Sequence, residues 1–365
     1  MKTIKSLMYL IMLTVLFWSC SKEDASDTVE VDSVSAKNSL EQMSGSVEMD
    51  VVEMVNAHGT KTLTTLIDLL IEGEFSSGRI APQSKSVMKR FKKRLQSIQI
   101  AFLPVSVVEE KNNGGEGFNF QDYVGVYEWD SNTEEFIKTE TVTDIILIKF
   151  PTEGSSINNA VFRVLEYDEQ KIQDEFSEYF LPTKIVADLL VDDVLETSLN
   201  YDMAFDTSGL PSAGIIKLFV APFDYELKLD NSLSHASIFS TAIKRDQLTI
   251  CSSHVQLDFA TTSKEKVNEL SGNVIYGRYK IEGNLDVQSL DELKEEEDIN
   301  DFIQLQVFDN EIKIGDILFE KVQGSEEEYD AFIIYPDGSK ESLEIYLQPI
   351  LDAIEDLILE IEGVS

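Results

Sequence analysis

Residues 185–205 read IVADLLV-DD-VLETSLNYDMAF. Two apolar-rich runs, Ile185–Val191 and Val194–Phe205, flank the pair Asp192-Asp193. A two-residue break of turn-forming type between such runs marks a β-hairpin. Asp206-Thr207-Ser208-Gly209 supplies the next turn and Ile215–Val220 the next strand. Tyr225, Leu227 and Leu229 then alternate with Glu226, Lys228 and Asp230, and Val255, Leu257 and Phe259 alternate with Gln256 and Asp258. Successive side chains of a strand point to opposite faces, so this pattern predicts a sheet with one apolar face and one wet face. The stretch from Leu181 to about Phe259 reads as an antiparallel meander.

The pattern extends in both directions. Upstream, Tyr123–Trp129 and Phe136–Thr141 flank the turn Asp130–Thr133, followed by strands at Ile145–Phe150 and Ala160–Tyr167 and by an acidic separator, Asp168–Glu178. Downstream, strands are expected at Val274–Ile281, Ile303–Phe308 and Glu311–Phe319. A last hairpin is expected in Ala331–Tyr335 and Leu343–Leu347, around Pro336-Asp337-Gly338-Ser339. Helical periodicity precedes all of this. Val47, Val51, Met54 and Val55 share a helical face closed by His58-Gly59; Leu63, Leu66, Ile67, Leu70 and Ile71 form a second stripe. Val87, Phe91, Leu95, Ile98 and Phe102 form a third, beside Lys85, Lys89, Arg90, Lys92, Lys93 and Arg94. Leu347, Ile350, Leu351, Ile354, Leu357, Ile358 and Ile361 predict a closing helix. The loop Asn112-Asn113-Gly114-Gly115 separates a helical segment, 47–111, from a β-rich body, 112–365. The expected fold class is α+β: N-terminal helices and a C-terminal helix packed on a large curved antiparallel β-meander, with 47–365 as one globular unit.

The first residues carry an address. Lys2 and Lys5 precede the apolar run Leu7–Trp18, which is shorter than the roughly 20 residues a membrane helix needs and has the length of a signal-peptide core. Phe17-Trp18-Ser19-Cys20 resembles a bacterial lipobox, with an apolar residue at −3, a small residue at −1 and Cys at +1. Ser21-Lys22-Glu23-Asp24 resembles the lysine-plus-acids export signal of Bacteroidota surface lipoproteins. The resemblance covers about the first 25 residues. It implies a signal peptide at 1–19, lipidation of Cys20, an export signal in Lys22, Glu23 and Asp24, and attachment to the outer membrane at the cell surface. Residues 20–46, polar and poor in aromatics, read as a flexible tether.

The formal net charge is −37, from 67 acidic and 30 basic side chains, so association with nucleic acid is excluded. With Cys20 committed to lipid, Cys251 is left unpaired. The chain has no phosphate-binding glycine loop, no H-E-x-x-H, no G-x-S-x-G, no EF-hand loop and no C-x-x-C. Cys251-Ser252-Ser253-His254 has the spacing of half a metal site, but in a strand Cys251 points with the apolar set and His254 with the polar set. The acidic stretches Asp291–Asp301 and Ser325–Asp330 contain the oxygen ligands that Ca²⁺ takes but no defined loop. Tyr123, Tyr127 and Trp129 alternate on one strand face and are the aromatic candidates for ligand contact. No catalytic residue, metal site or cofactor is expected. The expected function is a non-enzymatic binding or structural role, through a membrane lipid anchor and a protein or glycan partner. The alternatives are a half-barrel carrier or sensor of an apolar ligand and a carboxylate-based carbohydrate-active enzyme.

Overall fold

The computed structural model describes residues 32–63, 65, 66, 69, 120–142, 144–173, 178–262, 264, 266–291, 298–322 and 329–349. Among the described residues 57% lie in strands, paired mainly antiparallel. The third expected helical stripe, the basic cluster at 85–94 and the closing helix beyond 349 lie outside the described residues. The chain falls into two compact units. A middle unit is Asn56–Pro222, and a terminal unit combines the residues up to Val55 with those from Phe223 onward. The divisions fall between Val55 and Asn56 and between Pro222 and Phe223.

The middle unit holds β1 (Gly125–Asp130), β2 (Glu135–Glu140), β3 (Ile146–Phe150), β4 (Ala160–Gln173), β5 (Glu178–Val191), β6 (Val194–Phe205) and β7 (Pro211–Val220). Their order is β7-β6-β5-β4-β3-β1-β2. All neighbours are antiparallel except β1 and β3, which run parallel with Tyr127 opposite Ile148. Asp192 and Asp193 both adopt positive φ, 49° and 63°, as the tight turn between β5 and β6 requires. The acidic separator is largely strand: β4 runs on to Gln173 and β5 starts at Glu178. Ile172 is buried between exposed Lys171 and Gln173, so strand alternation persists inside an acidic composition.

One face of this sheet buries Ile148, Phe150, Phe162, Val164, Ala187 and Leu189 together with Leu66. Leu66 comes from a helix that begins at residue 58. Gly59 is therefore not the closing residue of the preceding helix. A Cβ at position 59 would sit 2.7 Å from the Glu196 carbonyl oxygen and from Thr197 Oγ1, so glycine lets the helix start press against β6.

The terminal unit holds β8 (Phe223–Asp230), β9 (Ala236–Arg245), β10 (Leu248–Phe259), β11 (Val267–Tyr276), β12 (Tyr279–Asp286), β13 (Ile303–Asp309), β14 (Ile312–Lys321), β15 (Tyr329–Ile334) and β16 (Lys340–Ser342). Neighbours in sequence are neighbours in the sheet, all antiparallel. Three expectations shift here. Strand β9 lies inside the expected meander but is weakly marked there, because Ser237, Ser240 and Thr241 interrupt its apolar residues. The strand expected over Val274–Ile281 is two strands joined at Gly277-Arg278, with Gly277 at φ +55°. The last hairpin closes on β16 at Lys340–Ser342, and residues 344–349 are helical, not strand.

Helix α1 spans Ser33–Asn56. The part of the expected tether from residue 33 onward is thus part of the folded body. The Asp32 carboxylate caps the helix, accepting from the Ser35 amide at 3.0 Å and the Val34 amide at 3.1 Å, and these bonds hold its pKa low. Ala36, Leu40 and Met43, at spacings of four and three, are buried in one cluster with Val274, Val307, Ile314, Tyr335 and Tyr346. Polar contacts fix the rest of the helix. Ser39 Oγ donates to Asp309 at 2.7 Å, Ser44 Oγ donates to the Tyr346 carbonyl at 2.7 Å, and Arg245 pairs with Glu53 at 2.7 Å. Tyr276 donates its phenol to Asp50 at 2.6 Å. Glu341 accepts from Tyr346 at 2.5 Å and Tyr335 at 3.0 Å and pairs with Lys37 at 3.2 Å. The bond from Tyr346 is the main reason its pKa lies below the ordinary glutamate value of 4.5.

Two outcomes are expected. Leu40→Ala removes a side chain that is 1% exposed, so denaturant unfolding should show a loss of about 3 kcal/mol. Because the Glu341 pKa is depressed by folding, its stabilisation is complete above the unfolded carboxyl value and disappears as pH falls through the folded value. Unfolding curves should therefore show wild type losing more stability than Glu341→Gln on going from about pH 6 to about pH 3.

Candidate binding face

Cys20, Lys22, Glu23 and Asp24 lie outside the described residues. The aromatic candidates are placed, and two of them are core. Tyr123 is 5% exposed and Tyr127 8%, both in the cluster with Leu66. Tyr127 donates its hydroxyl to the Tyr123 carbonyl at 2.9 Å, and burial raises its pKa. Trp129 is half-buried and meets Phe136 edge-on, with ring centroids 5.0 Å apart. Tyr123 and Tyr127 therefore pack as core residues. Sequence alternation could not reveal this, since Gly125, Val126 and Tyr127 are all buried whichever face they take.

Cys251 and His254 stand on opposite faces of β10. Cys251 is opposite Tyr276, and burial, followed by the charge of Asp50, pushes its thiol pKa up to about 11. That environment disfavours the reactive thiolate. His254 faces the other way and shares a hydrogen bond between its Nδ1 and Ser240 Oγ at 3.0 Å.

The face that carries His254 is built by register. Val274 on β11 and Val255 on β10 belong with the core beneath α1, so their neighbours Asn273 and His254 point to the opposite side. Reading across the sheet, Lys228 lies opposite Ser240, Ser240 opposite His254 and His254 opposite Asn273. The same row continues from Asn273 to Glu282, Gln306 and Asp316. Seven consecutive strands thus each contribute one polar side chain. At about 4.8 Å between strands, the row is about 29 Å long.

Most members of this face are satisfied. Gln306 donates to Asp316 at 3.3 Å, and Asn284 donates to Glu269 at 3.3 Å. Lys280 pairs with Glu311 at 2.9 Å and Glu282 at 3.2 Å. Burial works against the Lys280 charge, but those two bonds outweigh it and raise its pKa. Its ammonium also lies 4.6 Å from the centre of the Phe308 ring.

Asn273 is the exception. It is 1% exposed, and among the described residues neither its amide nitrogen nor its amide oxygen has a hydrogen-bond partner. The two flanking residues that could reach it are engaged elsewhere, His254 with Ser240 and Glu282 with Lys280. A buried amide left unpaired costs about 1–3 kcal/mol. The orphan atoms Thr197 Oγ1 and Tyr201 Oη lie in the other unit, on strand β6.

Among the described residues no three His, Cys, Asp or Glu side chains gather as a metal-holding group, and no helix is long and apolar enough to cross a membrane. Most of the two acidic stretches, residues 292–297 and 323–328, lies outside the described residues. No family model, curated protein or solved structure matches the chain.

The polar row was missed in the sequence because its members are separated by hairpins and share no motif. The available signal was the position of each polar residue at the wet phase of its strand. The unpaired amide leads to one expected outcome: Asn273→Val removes an unsatisfied polar group, so the variant should unfold at higher denaturant concentration, with a gain of about 1 kcal/mol.

Proposed function

We propose that this chain is a lipid-anchored protein of the outer membrane, displayed at the cell surface, that binds a partner without transforming it. The reading combines two supports. The leader through Asp24 resembles that of Bacteroidota surface lipoproteins. The observation that carries the binding role is the polar row from Lys228 to Asp316 with the unpaired Asn273 amide at its centre. A face kept polar across seven strands, at a cost in stability, suits recognition of a hydrogen-bonding partner more than solubility alone. The net charge of −37 disfavours polyanions, leaving a neutral glycan or a protein surface as partner. The membrane is contacted through the lipid on Cys20.

In this reading the anchor is short. Helix α1 starts at Ser33, so only about a dozen residues after Cys20 span the distance from lipid to folded body. Replacement of Cys20 by Ser should abolish acyl labelling and move the protein from the membrane fraction to the soluble fraction. Unchanged membrane retention of that variant would sink the anchor. Replacing Lys22, Glu23 and Asp24 together by Ala should protect the protein from protease added to intact cells. Continued digestion in that variant would remove the export signal from the proposal.

A further inference from the structure

We propose that Asn273, with His254 and Glu282 on either side, forms a subsite for a sugar hydroxyl of a neutral polysaccharide. This rests on the binding role proposed above for the same face and names its ligand class. The argument begins with what the Asn273 amide lacks. Its nitrogen needs an acceptor and its oxygen a donor, and no group among the described residues supplies either. A carboxylate or phosphate only accepts and an ammonium only donates. A hydroxyl does both, so one sugar hydroxyl can satisfy both ends of the amide.

The surroundings fit the same chemistry. His254 uses Nδ1 for Ser240, which leaves Nε2 as the ring atom for a neighbouring hydroxyl. Glu282, once released from Lys280, adds an acceptor on the opposite side. The adjacent row places Ile275 opposite Lys280 and Lys280 opposite Phe308, giving apolar surface for the carbon face of a sugar ring. The acids Glu282, Asp316 and Glu269 share the face and repel an anionic chain.

The side chains also explain how a hydroxyl gains access to a residue that is 1% exposed. Asn273 is short, and its cross-strand partners His254 and Glu282 are longer side chains on the same face. Lys280 holds two carboxylates, Glu282 and Glu311. Glu282 can therefore swing aside while Lys280 stays paired with Glu311, and the amide beneath is opened without leaving a buried charge alone. Ligand entry exchanges a redundant ion pair for the missing hydrogen bonds.

The test is affinity electrophoresis of the leaderless chain through gels containing a neutral mannan, a neutral glucan, a neutral xylan or, as the anionic control, polygalacturonate. At least one neutral polysaccharide should retard the wild type, and Asn273→Val should weaken that retardation at least tenfold. Asn273→Asp should do the same, since a carboxylate offers no donor. Equal unfolding midpoints or a higher one for Asn273→Val exclude misfolding as the cause. Glu311→Gln should weaken retardation with no loss of fold, because Lys280 then has only Glu282 and holds it closed. Retardation unchanged by Asn273→Val overturns the subsite and leaves the binding face standing. Retardation by polygalacturonate alone, or by none of the gels, overturns the ligand class, whereas the anchor and display are decided separately by the Cys20 and Lys22–Asp24 variants.

Discussion

The seating of Leu40 among Val274, Val307 and Ile314 fixes the sidedness of the terminal unit. A strand has two faces and no third option. Once Val274 turns toward the helix, Asn273 must turn away, and the antiparallel register carries that assignment from β11 to every strand paired with it. The polar row needs no separate device. It is the other side of the choice that buries the core. A slip of one residue in any strand would carry polar side chains into the cluster around Leu40, so the same apolar contacts that stabilise the unit also hold the row in line.

The middle unit shows the same logic with a different margin. Its sheet has a covered face built from Ile148, Phe162 and Leu189 and completed by Leu66. The close approach at Gly59 sets the helix against β6, where even a methyl group would meet the Glu196 carbonyl. On the side away from this core, Arg163 and Asp188 form a two-pronged pair at 2.6 Å, a geometry that suits a half-exposed sheet surface. Tyr127 and Tyr335 are buried and hydrogen-bonded.

Much of the architecture was readable because period-two alternation is strong where a strand has one wet face. Turn-forming residues marked the hairpin at Asp192-Asp193 and the turn at Pro336–Ser339, and a continuous apolar run marked the strand at Ile146–Phe150. Such signals weakened in three places. Ser240 and Thr241 diluted the apolar count of β9, acidic residues disguised the end of β4, and Ala36, Leu40 and Met43 were too sparse in a polar stretch to stand out as a helix. In each, tertiary packing supplied what local composition lacked. The candidate site was less legible still. Asn273 is distinguished by what fails to pair with it, and no sequence pattern reports a missing partner.

The division of the chain has a consequence in time. Residues 56–222 form a compact unit from one unbroken segment, with nearly all strands paired to their sequence neighbours. Helix α1 has no such convenience: Lys37 meets Glu341, 304 residues further along. At synthesis rates of roughly 5–20 residues per second, the interval between making these two partners is about 15–60 s. Through most of that interval the apolar stripe of α1 is without the strands it packs on. A chain built this way must keep helix α1 from wrong associations while the middle unit folds behind it, and the terminal unit closes only when the hairpin around Pro336–Ser339 is in place.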